Sequence, residues 1–336
     1  MLARAKPYNF LYFIICCSGF EDCNQNNSRK FLQIYFEMRL LLLRRGIEQL
    51  AGSVGFQPYL RQKSIPSMSI RQLNTKSVAY AMEKQLQIGA HQINFVKVGN
   101  GEKGLILLPG ALGTAWTDFK PQIEQLPSLL PSHTVIAWDP PGYGKSRPPE
   151  KQFGLDFYEQ DADSAFHLME KFGFEKFSIL GWSDGGITGL IMAGRKPTQV
   201  EKLVVWGANA YITQKEADIY QSIRDVSKWS SRMREPMEAI YGKADFPRIW
   251  SAWVDGMLQI YRKKNGDICK DVLENIRAPT FVLHGALDPM IVPEHVPHLL
   301  NTIPTTELHV FPDGKHNIHL KYSKEFNKLV SGFINL

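Results

Sequence analysis

Cysteine is scarce in this chain, with four in 336 residues, and the placement of those four excludes a disulfide scaffold. Cys16, Cys17 and Cys23 lie near the start, and Cys269 stands alone in the remainder, so no disulfide can form within the body. A lone cysteine is ordinarily a small buried apolar residue, and Cys269 is read that way rather than as a nucleophile. Long apolar runs are missing as well. The leading candidate, 10–17 (Phe-Leu-Tyr-Phe-Ile-Ile-Cys-Cys), is far shorter than the roughly 20 residues a bilayer span requires, so no stable membrane insertion is expected. The nine histidines show no ligand spacing with cysteine or carboxylates, which leaves no metal and no cofactor to expect. Internal repeats and low-complexity tracts are also absent.

Acidic residues are sparse at one end only. Of the 39 Lys/Arg and 33 Asp/Glu, residues 1–76 hold 11 and 4, which leaves 28 and 29 for the rest. The formal charge of +6 therefore belongs to the leader. The body is nearly neutral and carries no nucleic-acid footprint. Between Met38 and Ser77 there are seven basic residues, five serines and one acid, Glu48, the composition of a mitochondrial presequence. The expected address is mitochondrial, with translation from Met38 or an alternative extension over 1–37. The other readings are a cytoplasmic protein with a basic tail, or a secretory one if 1–20 acts as a signal peptide.

With 44% hydrophobic residues the chain has ample material for a core. From about residue 84 strand-like and helix-like signals alternate, which predicts an α/β fold with a mostly parallel sheet. Segments 86–88 and 93–98, joined by 89–92, read as an antiparallel hairpin. The short apolar runs 105–108, 134–138, 177–180 and 203–206 suit strands buried on both faces. Segments 280–284 and 307–311 complete the set. Apolar residues recur at helical spacing over 156–172, and a second helix is expected over 187–193. Between 209 and 275 there are no β-type runs, only charged, aromatic-rich helical stretches. The expected organisation is a leader over 1–77, a core over 78–208 and 276–336, and a helical cap over 209–275.

Chemistry concentrates at Gly181-Trp182-Ser183-Asp184-Gly185. This G-x-S-x-G pentapeptide follows an apolar run and leads into a helical one, the setting of a nucleophile elbow. A serine needs a base within hydrogen-bond reach and an acid to orient that base. Downstream, Asp288 follows the 280–284 strand and His316 follows the 307–311 strand, in the order expected after such an elbow. His284 and His309 sit within strand runs and read as structural, and His319 reads as the start of the last helix. Asp313, three residues before His316, is poorly spaced to orient it. Backbone donors for an oxyanion are expected from Asp184 and from the 109–113 loop, Ala111 first and Leu112 second. A carboxylate beside the nucleophile disfavours a nearby oxyanion unless the substrate brings a cation, which makes Asp184 a candidate substrate-binding residue for an α-amino group. The alternative is that Asp184 caps the following helix.

Segments 107–110, 138–140, 142–144, 181–188, 206–211, 223–230 and 314–317 together resemble the biphenyl hydrolase-like proteins, over roughly residues 80–334. The resemblance implies an α/β-hydrolase fold with an eight-stranded, mostly parallel sheet flanked by helices and a helical cap inserted between two late strands. It further implies a serine esterase for α-amino-acid esters, with the triad on Ser183, Asp288 and His316 and Asp184 as the amino-group anchor. Two departures, Pro141 (where relatives are expected to carry Arg) and Lys145, leave the triad intact but leave loop-mediated substrate selection open. The expectation is a monomeric, cofactor-free serine hydrolase that forms an acyl-enzyme from esters with hydrophobic acyl groups. A carbon–carbon bond hydrolase or cofactor-free haloperoxidase could use the same triad. A non-catalytic ligand-binding module on this fold is the alternative of a different class.

Overall fold

The structure is a computed structural model that describes residues 81–336. The presequence-like segment 38–77, the alternative start at Met38 and the signal-like segment 1–20 lie outside the described residues. Among the described residues no helix is long and apolar enough to cross a membrane.

The described chain opens with β1 (Met82–Ile88) and β2 (His91–Val98), an antiparallel hairpin in which Ile88 faces His91. The hairpin is longer and its turn tighter than the sequence suggested. Glu83, Lys84 and Gln85 on this edge strand face water, so its strand pattern lacks the apolar run that marks the central strands. Next come β3 (Lys103–Leu108), α1 (Ala115–Leu129), β4 (His133–Trp138), α2 (Phe157–Lys171), β5 (Phe177–Trp182), α3 (Asp184–Arg195) and β6 (Val200–Trp206). Helix α1 was not anticipated, because Pro121 and Pro127 lie inside it. Its start is held by a reciprocal cap: Thr114 accepts from the Thr117 N–H at 3.1 Å, and Thr117 accepts from the Thr114 N–H at 2.8 Å. The helix tolerates Pro121 by kinking at Phe119 (φ −122°).

After β6 the chain forms α4 (Gln214–Ser222), a 3-10 turn (Val226–Lys228), α5 (Ser231–Tyr241), α6 (Asp245–Lys263) and α7 (Lys270–Leu273) before β7 (Thr280–Gly285). It closes with α8 (His295–Thr302), β8 (Thr306–Phe311), α9 (Ile318–Lys321) and α10 (Ser323–Asn335). The eight strands form one sheet in the order β1-β2-β4-β3-β5-β6-β7-β8, antiparallel at the first two pairings and parallel thereafter. The central strands are buried on both faces, and alternation along β3 divides them. Ile106 and Leu108 pack with α2 and α3, whereas Leu105 and Leu107 pack with α1 and α10. The parallel strands consequently deliver their carboxyl ends to a single edge, where the loops after β3, β5, β7 and β8 meet.

Candidate active site

Ser183 occupies the turn between β5 and α3, with φ 55° and ψ −121°. A left-handed, non-glycine conformation is uncommon and persists only where its surroundings impose it. Here the Ser183 N–H donates to the Trp206 carbonyl at 3.0 Å, and the Ser183 carbonyl accepts from the Ile187 N–H at 3.0 Å. The flanking glycines are required by crowding. A Cβ at 181 would lie 2.4 Å from the Gly185 carbonyl oxygen, and one at 185 would lie 2.0 Å from that of Leu108. Tight crossing of strand and helix is therefore what presents the serine at the sheet edge.

The structure brings the three candidate side chains together. His316 Nε2 lies 3.0 Å from Ser183 Oγ, and His316 Nδ1 lies 2.9 Å from Asp288 Oδ2. Asp288 is almost wholly buried while the His316 ring keeps 19% exposure, so the carboxylate is sheltered and the imidazole is reachable. Burial pushes the Asp288 carboxyl up. His316 and the Met290 N–H, which donates to Oδ1 at 2.8 Å, more than offset this and hold it below the ordinary range. Asp313 is exposed on the turn before His316. Trp182, the residue before the serine, donates its indole N–H to the His316 carbonyl at 2.9 Å, a link between β5 and the β8 loop that sequence reasoning missed.

The remaining histidines and the cysteine take other places. His319 is fully buried, its Nδ1 accepts from the Trp206 indole at 2.9 Å, and burial drives its pKa down to about 3. His284 is partly buried, which lowers its pKa, and His309 packs edge-on against Phe311. Cys269 is buried and burial raises its thiol pKa, which makes it a poor nucleophile. Among the described residues no group of three or more His, Cys, Asp or Glu could hold a metal ion.

Asp184 does not serve as the helix cap; that position belongs to Ser183. Its carboxylate instead accepts from the Tyr158 hydroxyl at 3.0 Å and the Trp253 indole N–H at 2.8 Å. Burial pushes its pKa up to about 6, and the two donors oppose that rise. Tyr158 comes from α2 and Trp253 from the helical insertion, so neither was legible as a partner from spacing. Around them Tyr220 packs edge-on against Trp253, and Trp250 stacks on Trp253, giving the carboxylate an aromatic surround.

The loop after β3 places Ala111 partly exposed and Leu112 fully buried. Leu112 has φ 56°; of the three non-glycine residues with positive φ among those described, it and Ser183 both lie at this site. Gly110 donates its N–H to Asp118 Oδ2 at 2.9 Å, and burial raises the Asp118 carboxyl to about 7. The two departures fall in the loop after β4. Lys145 pairs with Glu83 at 2.7 Å and is exposed, while the Pro141 carbonyl accepts from Lys151, which is itself ion-paired with the buried Asp161. A cavity of about 490 Å³ opens between this loop and α5. Glu83, Asp139 and Lys145 share its wall with Trp116, Pro236, Ala239 and Ile240, so charged and apolar groups line it together.

Comparison with known proteins follows the same lines. A family described as alpha/beta hydrolase fold matches residues 104–236. Serine hydrolase BPHL of Homo sapiens is 45% identical over 250 residues, covering 74% of this chain and 85% of that protein; the Mus musculus counterpart is 46% identical over 246 residues. A 2-hydroxy-6-oxononadienedioate/2-hydroxy-6-oxononatrienedioate hydrolase of Pseudomonas putida is 24% identical over 294 residues, covering 80% of this chain and 99% of that one. Among solved structures, the 2-hydroxy-6-oxo-6-phenylhexa-2,4-dienoate hydrolase of Rhodococcus sp. strain RHA1 superposes with a TM-score of 0.64 at 18% identity, covering 77% of this chain and all of that one. That likeness is one of fold. The identity to the mammalian proteins extends over most of both chains, and on that ground this chain belongs to the serine hydrolase BPHL family and is a serine hydrolase of the alpha/beta hydrolase fold.

Proposed function

We propose that this enzyme cleaves carboxylic esters of α-amino acids with hydrophobic acyl groups through an acyl-enzyme. The Ser183 hydroxyl gives its proton to His316 Nε2 as Oγ bonds to the ester carbonyl carbon. Asp288 holds the Nδ1–H, fixing the tautomer and stabilising the imidazolium that forms. The carbonyl oxygen, now negative, is met by the backbone N–H groups of Asp184 and Ala111, with Leu112 as the second choice in that loop. Collapse breaks the ester C–O bond and the alcohol leaves with the proton from His316. Water then repeats the sequence on the acyl-enzyme and frees the amino acid. The insertion over 209–275 acts as the cap on the core of 78–208 and 276–336.

One observation carries the substrate class: Asp184, one residue from the nucleophile, is a buried carboxylate whose contacts are two neutral donors, Tyr158 and Trp253. A buried anion without a contacting cation is costly, and a substrate ammonium supplies the missing charge. The same charge weighs against the second reading, a carbon–carbon bond hydrolase. The substrate named for the Pseudomonas putida relative is a dicarboxylate, which Asp184 would repel. The test compares matched esters with and without the α-amino group on wild type, Asp184→Asn and Ser183→Ala. Asp184→Asn is expected to lose activity selectively on the amino ester, and Ser183→Ala to lose activity on both together with fluorophosphonate labelling. Equal loss from Asp184→Asn on the two esters would remove the amino-acid assignment.

A further inference from the structure

We infer that Tyr241, the last residue of α5 in the helical insertion, is a positioning residue for the oxyanion loop. The inference rests on the serine-hydrolase reading above. Oxyanion donors work because they are aimed before charge develops, so whatever holds their loop contributes to the rate. In the 109–113 loop two restraints are local: the Gly113 N–H donates to the Gly110 carbonyl at 2.9 Å, and the Gly110 N–H to Asp118. The first closes a four-residue turn with Ala111 and Leu112 at its centre, which suits the φ of 56° at Leu112, and neither engages the Leu112 carbonyl.

A hold on that carbonyl comes from 129 residues away. The Tyr241 hydroxyl donates to the Leu112 carbonyl at 2.7 Å. The same oxygen accepts from the Gly144 N–H at 3.2 Å, and this aims the hydroxyl proton at Leu112. Burial raises the phenol pKa far above neutrality, which keeps the group a donor rather than an acid. Arg147 secures the ring. Its guanidinium lies 4.4 Å from the Tyr241 centroid, and it donates to the Gly144 carbonyl and to the Ile240 carbonyl, each at 3.1 Å. A seated insertion therefore locks the peptide joining Leu112 to Gly113, and through it the turn that presents the Ala111 N–H. An insertion displaced at Tyr241 leaves that loop to relax.

The experiment uses the full chain and an amino-acid p-nitrophenyl ester alongside its thionoester, in which sulfur replaces the oxygen that would enter the oxyanion hole. Tyr241→Phe keeps the ring and its Arg147 contact but removes the hydroxyl. The expected result is a fall in kcat of about tenfold with KM within about twofold, the signature of an interaction made in the transition state. The ester-to-thionoester ratio of kcat/KM is expected to fall as well, because the sulfur substrate draws little from the hole to begin with. An unchanged kcat, or equal losses on both substrates with the ratio preserved, would overturn the inference. If Tyr241→Phe does not fold, Arg147→Lys provides the same readout through a loosened ring, and an unshifted ratio there would overturn it equally. Wild-type turnover that persists in Ser183→Ala would instead sink the serine-hydrolase reading, and this inference with it.

Discussion

Trp253, on a helix of the insertion, donates its indole N–H to Asp184 at 2.8 Å, so the carboxylate next to Ser183 is completed by a helix of the insertion. The bond matters because burial drives the Asp184 carboxyl up to about 6, and the indole is the foremost opposing influence. Activity that needs the ionised carboxylate must fall as pH drops through about 6. Replacing Trp253 by Phe removes one stabiliser of the anion and moves that fall to higher pH. The ratio of kcat/KM for amino and non-amino esters against pH checks this, since the triad's own titration cancels. An unshifted midpoint in Trp253→Phe would show that the indole does not control the carboxylate.

Asp288→Asn leaves shape nearly unchanged but offers His316 a weaker partner that also permits the wrong tautomer. The expected loss in kcat is on the order of 10⁴-fold, as for other Ser-His-Asp hydrolases, with fluorophosphonate labelling slowed in parallel. A loss under tenfold would mean that another acid, such as Asp313, orients the histidine.

His319→Phe separates the buried histidine from the one beside Ser183. His319 has its pKa lowered to about 3, against about 6.5 for an unfolded histidine. Its contribution to stability is full above about pH 6.5 and is lost as pH falls toward 3, because unfolding then takes up a proton. Urea unfolding from pH 8 to 4 should show a flatter decline in the variant than in wild type. At pH 8 the variant costs roughly 1–3 kcal/mol, since the Trp206 indole is left without its acceptor, while hydrolysis falls less than tenfold.

Glu216 on α4 and His295 on α8 tie the insertion to the core through a contact of 2.7 Å with both side chains fully buried. Removing one partner strands the other, so His295→Leu is expected to cost roughly 3–5 kcal/mol. The double variant with Glu216→Leu should recover much of that loss in a denaturant titration. A single variant as stable as wild type would show that the pair contributes no net stability.

Legibility in the sequence followed the kind of interaction involved. The central strands announced themselves because strands buried on both faces must be continuously apolar, as 105–108 and 203–206 are. The edge strand β1 and the proline-bearing helix α1 did not. One faces water along much of its length, and the other depends on a cap and a kink that override propensity. Ser183, Asp288 and His316 were legible because each follows a strand, and parallel strands must end at one edge.

The chain order of strands and turns was therefore enough to nominate the serine, acid and base, and to single out Asp184 by its charge beside the nucleophile. Only the tertiary structure decided what surrounds them. Trp253, Tyr158, Tyr241 and Trp182 act through contacts spanning 26 to 134 residues of chain, from helices and loops whose spacing encodes no shared site. Sequence periodicity reports which face of an element is apolar. It carries no record of which distant hydroxyl or indole will meet a given carboxylate or carbonyl; that is set when the insertion packs onto the sheet edge and each buried polar group must find a partner.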